Sequence, residues 1–483
     1  MKKNALKGLL GVLLSLLMHG AGAADKKPNV VIFLIDDMGW KNLGCFGAEL
    51  YETPNIDRLC AEGIRFSQAY TSAAICAPAR ASLLSGMHPM RFGMWNHLHY
   101  ITPGTKVLPQ FLKENGYQTW HVGKWHMGNP KEKTLPADMG FEKSAGASIA
   151  FGPGSYFWPF GCDPDTGKPL KARMSVPDMC KVGKKGDQLT ELLTDQIEAM
   201  FKARDPNRPF YLNFWPYSVH SGQETSPELK EKYQRKIDAM GLTPTYRIDE
   251  KTGAKLLTSE TNPVFAGMVE TLDVQIGRVI RMVKEAGEYD NTLFIFYSDN
   301  GCTTQNVPCV PLNGGKNSTY EAGVRVPAFI MWKGHVRPGS EYAKPVYICD
   351  LFDTVLDAAG IEQPDREDDG ISLMPIFNGQ SLPPRQFVWY FPDERAWWAQ
   401  RPNAAIYDER SGMKYISFFN GDADEMYDLR NDLAEAHNVA SEYPELGADL
   451  KKKTRAFLNQ YYKTTKAPPK RYADGVETFL TTD

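Results

Sequence analysis

Val30-Val31-Ile32-Phe33-Leu34-Ile35-Asp36-Asp37 is a run of six apolar residues that stops on two adjacent carboxylates. The run has no polar alternation, so a strand built from it is expected to be covered on both faces, as in a parallel sheet flanked by helices. Three further runs follow the same plan. Residues 119–122 lead into Gly123-Lys124-Trp125-His126, residues 210–214 lead through Pro216 to His220, and residues 293–297 end at Ser298-Asp299-Asn300-Gly301. Helix-like stretches lie between them, at 54–62, 108–115, 190–203 and 263–286. In the last, Val269, Leu272, Val274, Ile276, Val279, Ile280 and Val283 recur at helical spacing. Alternating strands and helices predict an α/β fold with a large, mostly parallel sheet between helical layers. Such sheets bind ligands beyond the carboxyl ends of their strands. Parallel strands would therefore gather the four polar clusters on one edge, although any one of them alone also reads as a solvated loop or a helix cap.

The pattern changes near residue 380. Ser381-Leu382-Pro383-Pro384-Arg385 reads as a linker, strand-like segments follow at 387–391 and 414–419, and residues 446–461 form an amphipathic helix. This predicts a large α/β unit over 24–380 and a small α+β subdomain with an antiparallel sheet over 381–483.

The chain has 483 residues, 42% hydrophobic and 23% charged, with a formal net charge of −3. A near-neutral balance argues against a nucleic-acid partner, which calls for a basic excess. Lys2, Lys3 and Lys7 precede an apolar stretch and Ala21-Gly22-Ala23, the three parts of a secretory signal over residues 1–23. The stretch is shorter than the ~20 residues that span a bilayer. The expectation is an exported protein, periplasmic or secreted, without stable membrane association.

Cys76-Ala77-Pro78-Ala79-Arg80 is the most informative short segment. Pro78 suits the first turn of a helix, whose N-terminal amides and the nearby Arg80 would favour negative charge at Cys76. Read alone, Cys76 is equally a buried thiol or one of low pKa. Asp36, Asp37, Asp299 and the Asn300 amide form an all-oxygen set of the kind hard cations prefer, Ca²⁺ ahead of Mg²⁺ because it tolerates irregular geometry.

With these motifs in order, the chain resembles the formylglycine-dependent sulfatases of the alkaline-phosphatase-like superfamily. Cys76, Pro78 and Arg80 match the family's C-x-P-x-R motif, Asp36 and Asp37 its opening carboxylates, and Lys124 with His126 its Gly-Lys-Trp-His segment. Asp299 and Asn300 match its Asp-Asn-Gly segment, and Lys316 precedes Tyr320-Glu321-Ala322-Gly323-Val324-Arg325-Val326-Pro327. His220 takes the place of the leaving-group histidine, and residues 426–432 resemble the terminal-domain signature. Ala79 and Met87 depart from the family's usual Ser and basic residue.

The resemblance implies that Cys76 is oxidised to Cα-formylglycine by a formylglycine-generating or anaerobic maturation enzyme, and that Asp36, Asp37, Cys76, Asp299 and Asn300 hold Ca²⁺. It implies catalytic roles for Cys76, Arg80, Lys124, His126, His220 and Lys316, with Lys124, His220 and Lys316 also touching substrate. In the implied cycle a hydroxyl of the aldehyde hydrate attacks sulfur, His220 with Lys316 protonates the leaving oxygen, and His126 restores the aldehyde as sulfate departs. The expected substrate is a sulfated saccharide of glycosaminoglycan, mucin or algal type. An aryl or alkyl sulfatase, a phosphonate or phosphomonoester hydrolase, and a noncatalytic sulfated-glycan binder are the alternatives.

Weaker signals complete the reading. Trp397 and Trp398 are candidates for stacking on a sugar, or for interface packing. Residues 151–162 form an aromatic, Gly/Pro-rich candidate substrate loop. The sequon at Asn317 adjoins Lys316 and is discounted as a glycosylation site. Of the seven cysteines other than Cys76, Cys302 with Cys309 and Cys162 with Cys180 are candidate pairs.

Overall fold

The computed structural model describes residues 26–96, 99–248, 253, 255–362, 368–393, 401–462 and 470–481. The proposed export signal and Trp397 and Trp398 lie outside the described residues.

The strands are β1 (Asn29–Ile35), β2 (Ile64–Tyr70), β3 (Gln118–Gly123), β4 (Lys143–Ala145), β5 (Phe210–Trp215), β6 (Tyr246–Ile248), β7 (Lys255–Leu257) and β8 (Thr292–Ser298). They continue with β9 (Arg325–Met331), β10 (Ser340–Tyr342), β11 (Val346–Tyr347), β12 (Gln386–Phe391), β13 (Asn403–Asp408), β14 (Met413–Phe418) and β15 (Glu425–Asp428). A nine-stranded sheet runs in the order β10-β2-β9-β8-β1-β5-β3-β4, with β11 also on β2. Within it β8, β1, β5 and β3 are parallel neighbours. The unbroken apolar run of β1 is explained by its surroundings. Val30, Ile32 and Leu34 enter one core and Val31, Phe33 and Ile35 the other, all six with no solvent exposure.

Because the four central strands share a direction, the segments after β1, β3, β5 and β8 leave from one edge. Strand β9 is antiparallel to both β8 and β2, so β2 runs with the central strands and also delivers its following segment, which contains Cys76, to that edge. The reversed β9 starts there, and the Lys316 loop precedes it. The sequence reading did not identify β2 or β9. Residues 64–70 include Arg65, Ser67 and Gln68, which dilute the strand signal.

Helices cover both faces, and the long one spans Pro263–Glu285 as the periodicity predicts, except that Val274 is 44% exposed and lies off its apolar face. A separate four-stranded antiparallel sheet has the order β12-β13-β14-β15. Phe387, Trp389, Ala405, Tyr407 and Ile416 join the main core, whereas Val388, Tyr390, Ala404, Ile406 and Tyr415 pack with Leu450 and Leu458 of the helix Pro444–Tyr462. The C-terminal sheet thus shares its hydrophobic interior with the large unit. No described helix is long and apolar enough to cross a membrane.

Candidate active site

Each central strand ends in a polar group held by a neighbour's backbone. The Asp299 amide donates to Ile35 O at 3.0 Å and the Val219 amide to Asp36 O at 2.8 Å. The Lys124 amide donates to Trp215 O at 2.7 Å, a close approach that requires Gly123, since a Cβ there would sit 2.0 Å from that oxygen at φ +108°. Cys76 begins the helix Cys76–Ser85, with Pro78 in its first turn as expected.

The side chains meet in a buried cluster. Lys124 Nζ donates to Asp36 Oδ2 at 2.7 Å, and Lys316 Nζ contacts Asp37 Oδ1 at 2.7 Å and Oδ2 at 2.8 Å. Arg80 Nε donates to Asp299 Oδ2 at 2.9 Å, and its NH1 group donates to Lys124 O at 3.0 Å. The Arg80 guanidinium lies 5.4 Å from the Trp215 ring centroid. Asn300 Nδ2 donates to Asp37 Oδ1 at 2.8 Å, and the Cys76 thiol donates to the same oxygen at 3.8 Å. His220 Nε2 stands 3.7 Å from Asp37 Oδ2. His126 is buried on the loop that carries Lys124, its ring 6.3 Å from that of Phe151.

Three carboxylates, Asp36, Asp37 and Asp299, face three fixed cations, Arg80, Lys124 and Lys316, so the cluster is close to neutral. Burial would raise the Asp37 carboxyl, but Lys316, then His220 and Lys124, hold it well below the usual carboxylate range. Asp299 moves the other way, to about 6, because burial and the adjoining carboxylates outweigh Arg80. Lys316 is driven up by Asp37 against the effect of burial.

Burial pushes the Cys76 thiol up, against the pull of Lys124 and Lys316, so of the two readings left open by the sequence the structure favours the buried thiol. Burial and Lys316 also push His220 well below its ordinary value, with Asp37 opposing. Its imidazole is thereby held toward the neutral form.

Buried acceptors mark where a cation fits. Asp36 Oδ1 and Asn300 Oδ1 are enclosed and accept no hydrogen bond from the described residues, the Arg80 guanidinium standing 3.4 Å from the former. Ligand atoms of Asp36, Asp37, Cys76 and His220 all lie within 4.8 Å of one another. This grouping takes in Asp36, Asp37 and Cys76 of the expected ligand set and adds His220. Asp299 adjoins it, one oxygen accepting from Arg80 and the other from the Asp37 amide at 3.2 Å. The carboxylate and amide oxygens suit a hard dication.

The family model "Sulfatase" matches residues 28–361. The chain is a member of the sulfatase family. A second model, "N-sulphoglucosamine sulphohydrolase, C-terminal", matches residues 315–460 and so takes in the Lys316 loop as well as the second sheet. Human N-acetylgalactosamine-6-sulfatase is 29% identical over 77% of this chain and 70% of its own length. A sulfatase of Formosa agariphila is 28% identical over 95% of this chain and 94% of its own. The solved structure of Ps i-CgsB in complex with k-i-k-neocarrahexaose superposes with a TM-score of 0.77 at 24% identity, covering 95% of this chain and 98% of that one, and shares the fold. This sulfatase is a sulfuric ester hydrolase, and the alkaline-phosphatase-like architecture expected from the sequence is the one observed.

Other side chains support the sulfatase site without an advance signal. Trp215 carries the Arg80 guanidinium, and Thr71 Oγ1 donates to Asp299 O at 2.6 Å. Tyr156 lies in the loop singled out for substrate contact. Its hydroxyl donates to the carbonyls of Tyr217 at 2.6 Å and His220 at 3.1 Å, tying that loop to the histidine. Gly152 of the same loop faces His220, with a Cβ position 3.4 Å from Nδ1. Asn317 is 1% exposed, in keeping with the discounted sequon. Cys302 and Cys309 form a disulfide, whereas Cys162 and Cys180 are free thiols. Met87 packs partly buried against the main core.

Proposed function

We propose that this sulfatase is an exported enzyme that removes O-sulfate from a sugar of a sulfated glycan, using Cα-formylglycine at position 76 and a bound Ca²⁺. The observation that carries the reading is the convergence of Cys76, Asp37, His220 and Lys316 in one buried cluster among fixed cations. A buried thiol held protonated is a poor nucleophile, and this favours modification of Cys76. The modified residue would supply a hydrated aldehyde as nucleophile, and Ca²⁺, which Asp36, Asp37, Asp299, Asn300 and the modified residue 76 would hold, would supply Lewis acidity.

The chain's own residues do the rest. The close balance of charges within the cluster becomes a net positive field once a dication is held, which suits an anionic ester and the charge that grows on its oxygens. Arg80, fixed by Asp299 and the Trp215 face, orients the helix that carries Cys76. Lys124 and Lys316 hold the sulfate oxygens, and Lys316 stands beside His220 as a lasting cation. His220, raised by the bound anion, protonates the departing sugar oxygen, and His126 accepts a proton as sulfate leaves.

A saccharide substrate is supported by the name of the N-acetylgalactosamine-6-sulfatase relatives and by the aromatic loop against His220, whereas the arylsulfatase A relative at 30% identity keeps the aryl sulfates in the test. The N-terminal segment supports export. Mass spectrometry of the Cys76 peptide after coexpression with a maturation enzyme is the direct test. It is joined to a sulfate-release screen over sulfated galactose, N-acetylgalactosamine, glucosamine and fucose saccharides, with C76S and H220A as controls. An unmodified cysteine in fully active enzyme would refute the mechanism. Release from aryl sulfates alone would refute the glycan substrate.

A further inference from the structure

Three consecutive residues after the Lys316 turn are each held by the C-terminal sheet. Thr319 Oγ1 donates to Asn403 Oδ1 at 2.6 Å, at the start of β13. The Tyr320 hydroxyl contacts Glu425 of β15 and Arg401, and Arg401 donates to Glu425 at 2.8 Å. Glu321 Oε1 meets Lys414 Nζ of β14 at 2.9 Å, and its amide donates to Glu435 Oε2 at 2.7 Å. Lys414 also reaches Glu435 Oε1 at 3.1 Å. Lys414 and Glu321 have no solvent exposure and Glu435 has 4%. From the large unit, Tyr70 donates to Glu321 Oε2 at 3.0 Å and Arg325 stands 3.4 Å from the same oxygen.

The other end of this segment is tied to the catalytic side. The Lys316 amide donates to Cys302 O at 2.8 Å, and the Asn317 amide donates to Ala74 O at 2.6 Å, two residues before Cys76. Asn317 and Glu435 both adopt left-handed backbone conformations, φ +65° and +51°. Non-glycine residues keep such conformations when the surroundings over-determine them. Gly323 closes the turn where a Cβ would meet Ser318 O at 1.9 Å. Residues 316–321 are thus strung between the segment that leads to Cys76 and a buried ionic cluster of the second sheet.

We propose that Lys414, Glu435 and Asn403 are positioning residues, and that the C-terminal sheet serves the reaction by holding Lys316 against Asp37 and the reacting sulfate ester. The proposal rests on Lys316 acting on that ester. A buried ion cluster is an inefficient way to stabilise a fold, because desolvation offsets most of the attraction. It does fix geometry, and a displacement near 1 Å of a group in contact with substrate costs about 100-fold in rate.

The test is a double-mutant cycle on the matured enzyme, with steady-state sulfate release measured on the best substrate from the saccharide screen. K316A should be impaired. K414M should fall about 10- to 100-fold in kcat/KM, with most of the loss in kcat, while K414M in the K316A background should add less than about threefold. K414R should recover part of the loss. Should K414M fail to fold, the near-isosteric T319V, which removes the bond to Asn403, takes its place in the same cycle. Folded K414M or T319V with kcat/KM within about threefold of the parent would overturn the proposal, as would equal losses with and without Lys316. Full activity in K316A would remove the role of Lys316 itself, and the positioning role with it.

Discussion

Arg80 and Asp299, 219 residues apart in the chain, are joined by a hydrogen bond of 2.9 Å with no solvent exposure on either side chain. One sits in the first helical turn after Cys76 and the other just past the end of β8. The pair therefore fixes the angle between the helix that presents position 76 and the strand edge that presents the carboxylates. The Trp215 face below the guanidinium and the Lys124 carbonyl beside it leave Arg80 little freedom.

Removing one partner of a buried pair strands the other charge, at a cost of about 3–5 kcal/mol. R80A is expected to lose roughly that much stability in urea denaturation, and R80K to lose less while still breaking the fork that reaches both Asp299 and Lys124 O. An R80A protein as stable as the parent would show that the pair is not desolvated in solution.

Enclosure of the Cys76 thiol makes a chemical prediction. Protein expressed without a maturation enzyme should resist iodoacetamide at about pH 8, because burial keeps the thiol protonated and shielded. Intact-mass analysis of the native protein should show no adduct on the Cys76 peptide over hours, and denaturation should expose it. Rapid native alkylation at Cys76 would show that the thiol is accessible and ionised in the folded protein.

Divalent cations offer a third check. Protein stripped with EDTA should gain melting temperature on addition of Ca²⁺, by the equivalent of about 2.7 kcal/mol at a hundredfold excess over Kd. D36N, which removes the charge of the carboxylate that carries one of the enclosed oxygens, should shrink that gain severalfold. Stabilisation by Zn²⁺ but not Ca²⁺ would point to Cys76 and His220 as the ligands in place of the oxygens.

Glu435 predicts a pH signature in stability. Burial lifts its carboxyl to about 8 from an ordinary 4.5, Lys414 opposing and Glu321 adding to the rise. The folded chain therefore holds an extra proton between those values. The stabilising contribution is complete below about pH 4.5 and is lost as pH rises through about 8. E435Q should flatten the decline in melting temperature between about pH 6 and pH 9. Parallel curves for E435Q and the parent would rule out this titration.

Much of the site was legible because the chemistry is carried by short segments anchored at strand ends. The clusters at Asp36, Lys124, His220 and Asp299 each follow an apolar run, and runs without alternation identify strands covered on both faces. The missing strands β2 and β9 mattered more than their length indicates. Without them, nothing in the reading explained why the Cys76 helix and the Lys316 loop, neither of which follows one of the recognised strands, arrive at the same edge. The contribution of Lys414, Glu321 and Glu435 carried no local signal either. A lysine in a strand and two glutamates near loops read as surface charge until the two sheets pack together and exclude water from all three.

The sequence by itself determined the α/β class, the family and most of the candidate residues. Burial periodicity and residue type are local properties, and the C-x-P-x-R and Gly-Lys-Trp-His segments are contiguous. Tertiary structure decided which charges meet and what state they hold. The raised Cys76 thiol, the neutral His220, the engagement of Asp299 by Arg80 and the grip of the second sheet on residues 319–321 all depend on desolvation and on distances between segments far apart in the chain. Proton affinity and ion pairing are set by those surroundings, and no spacing along the chain encodes them.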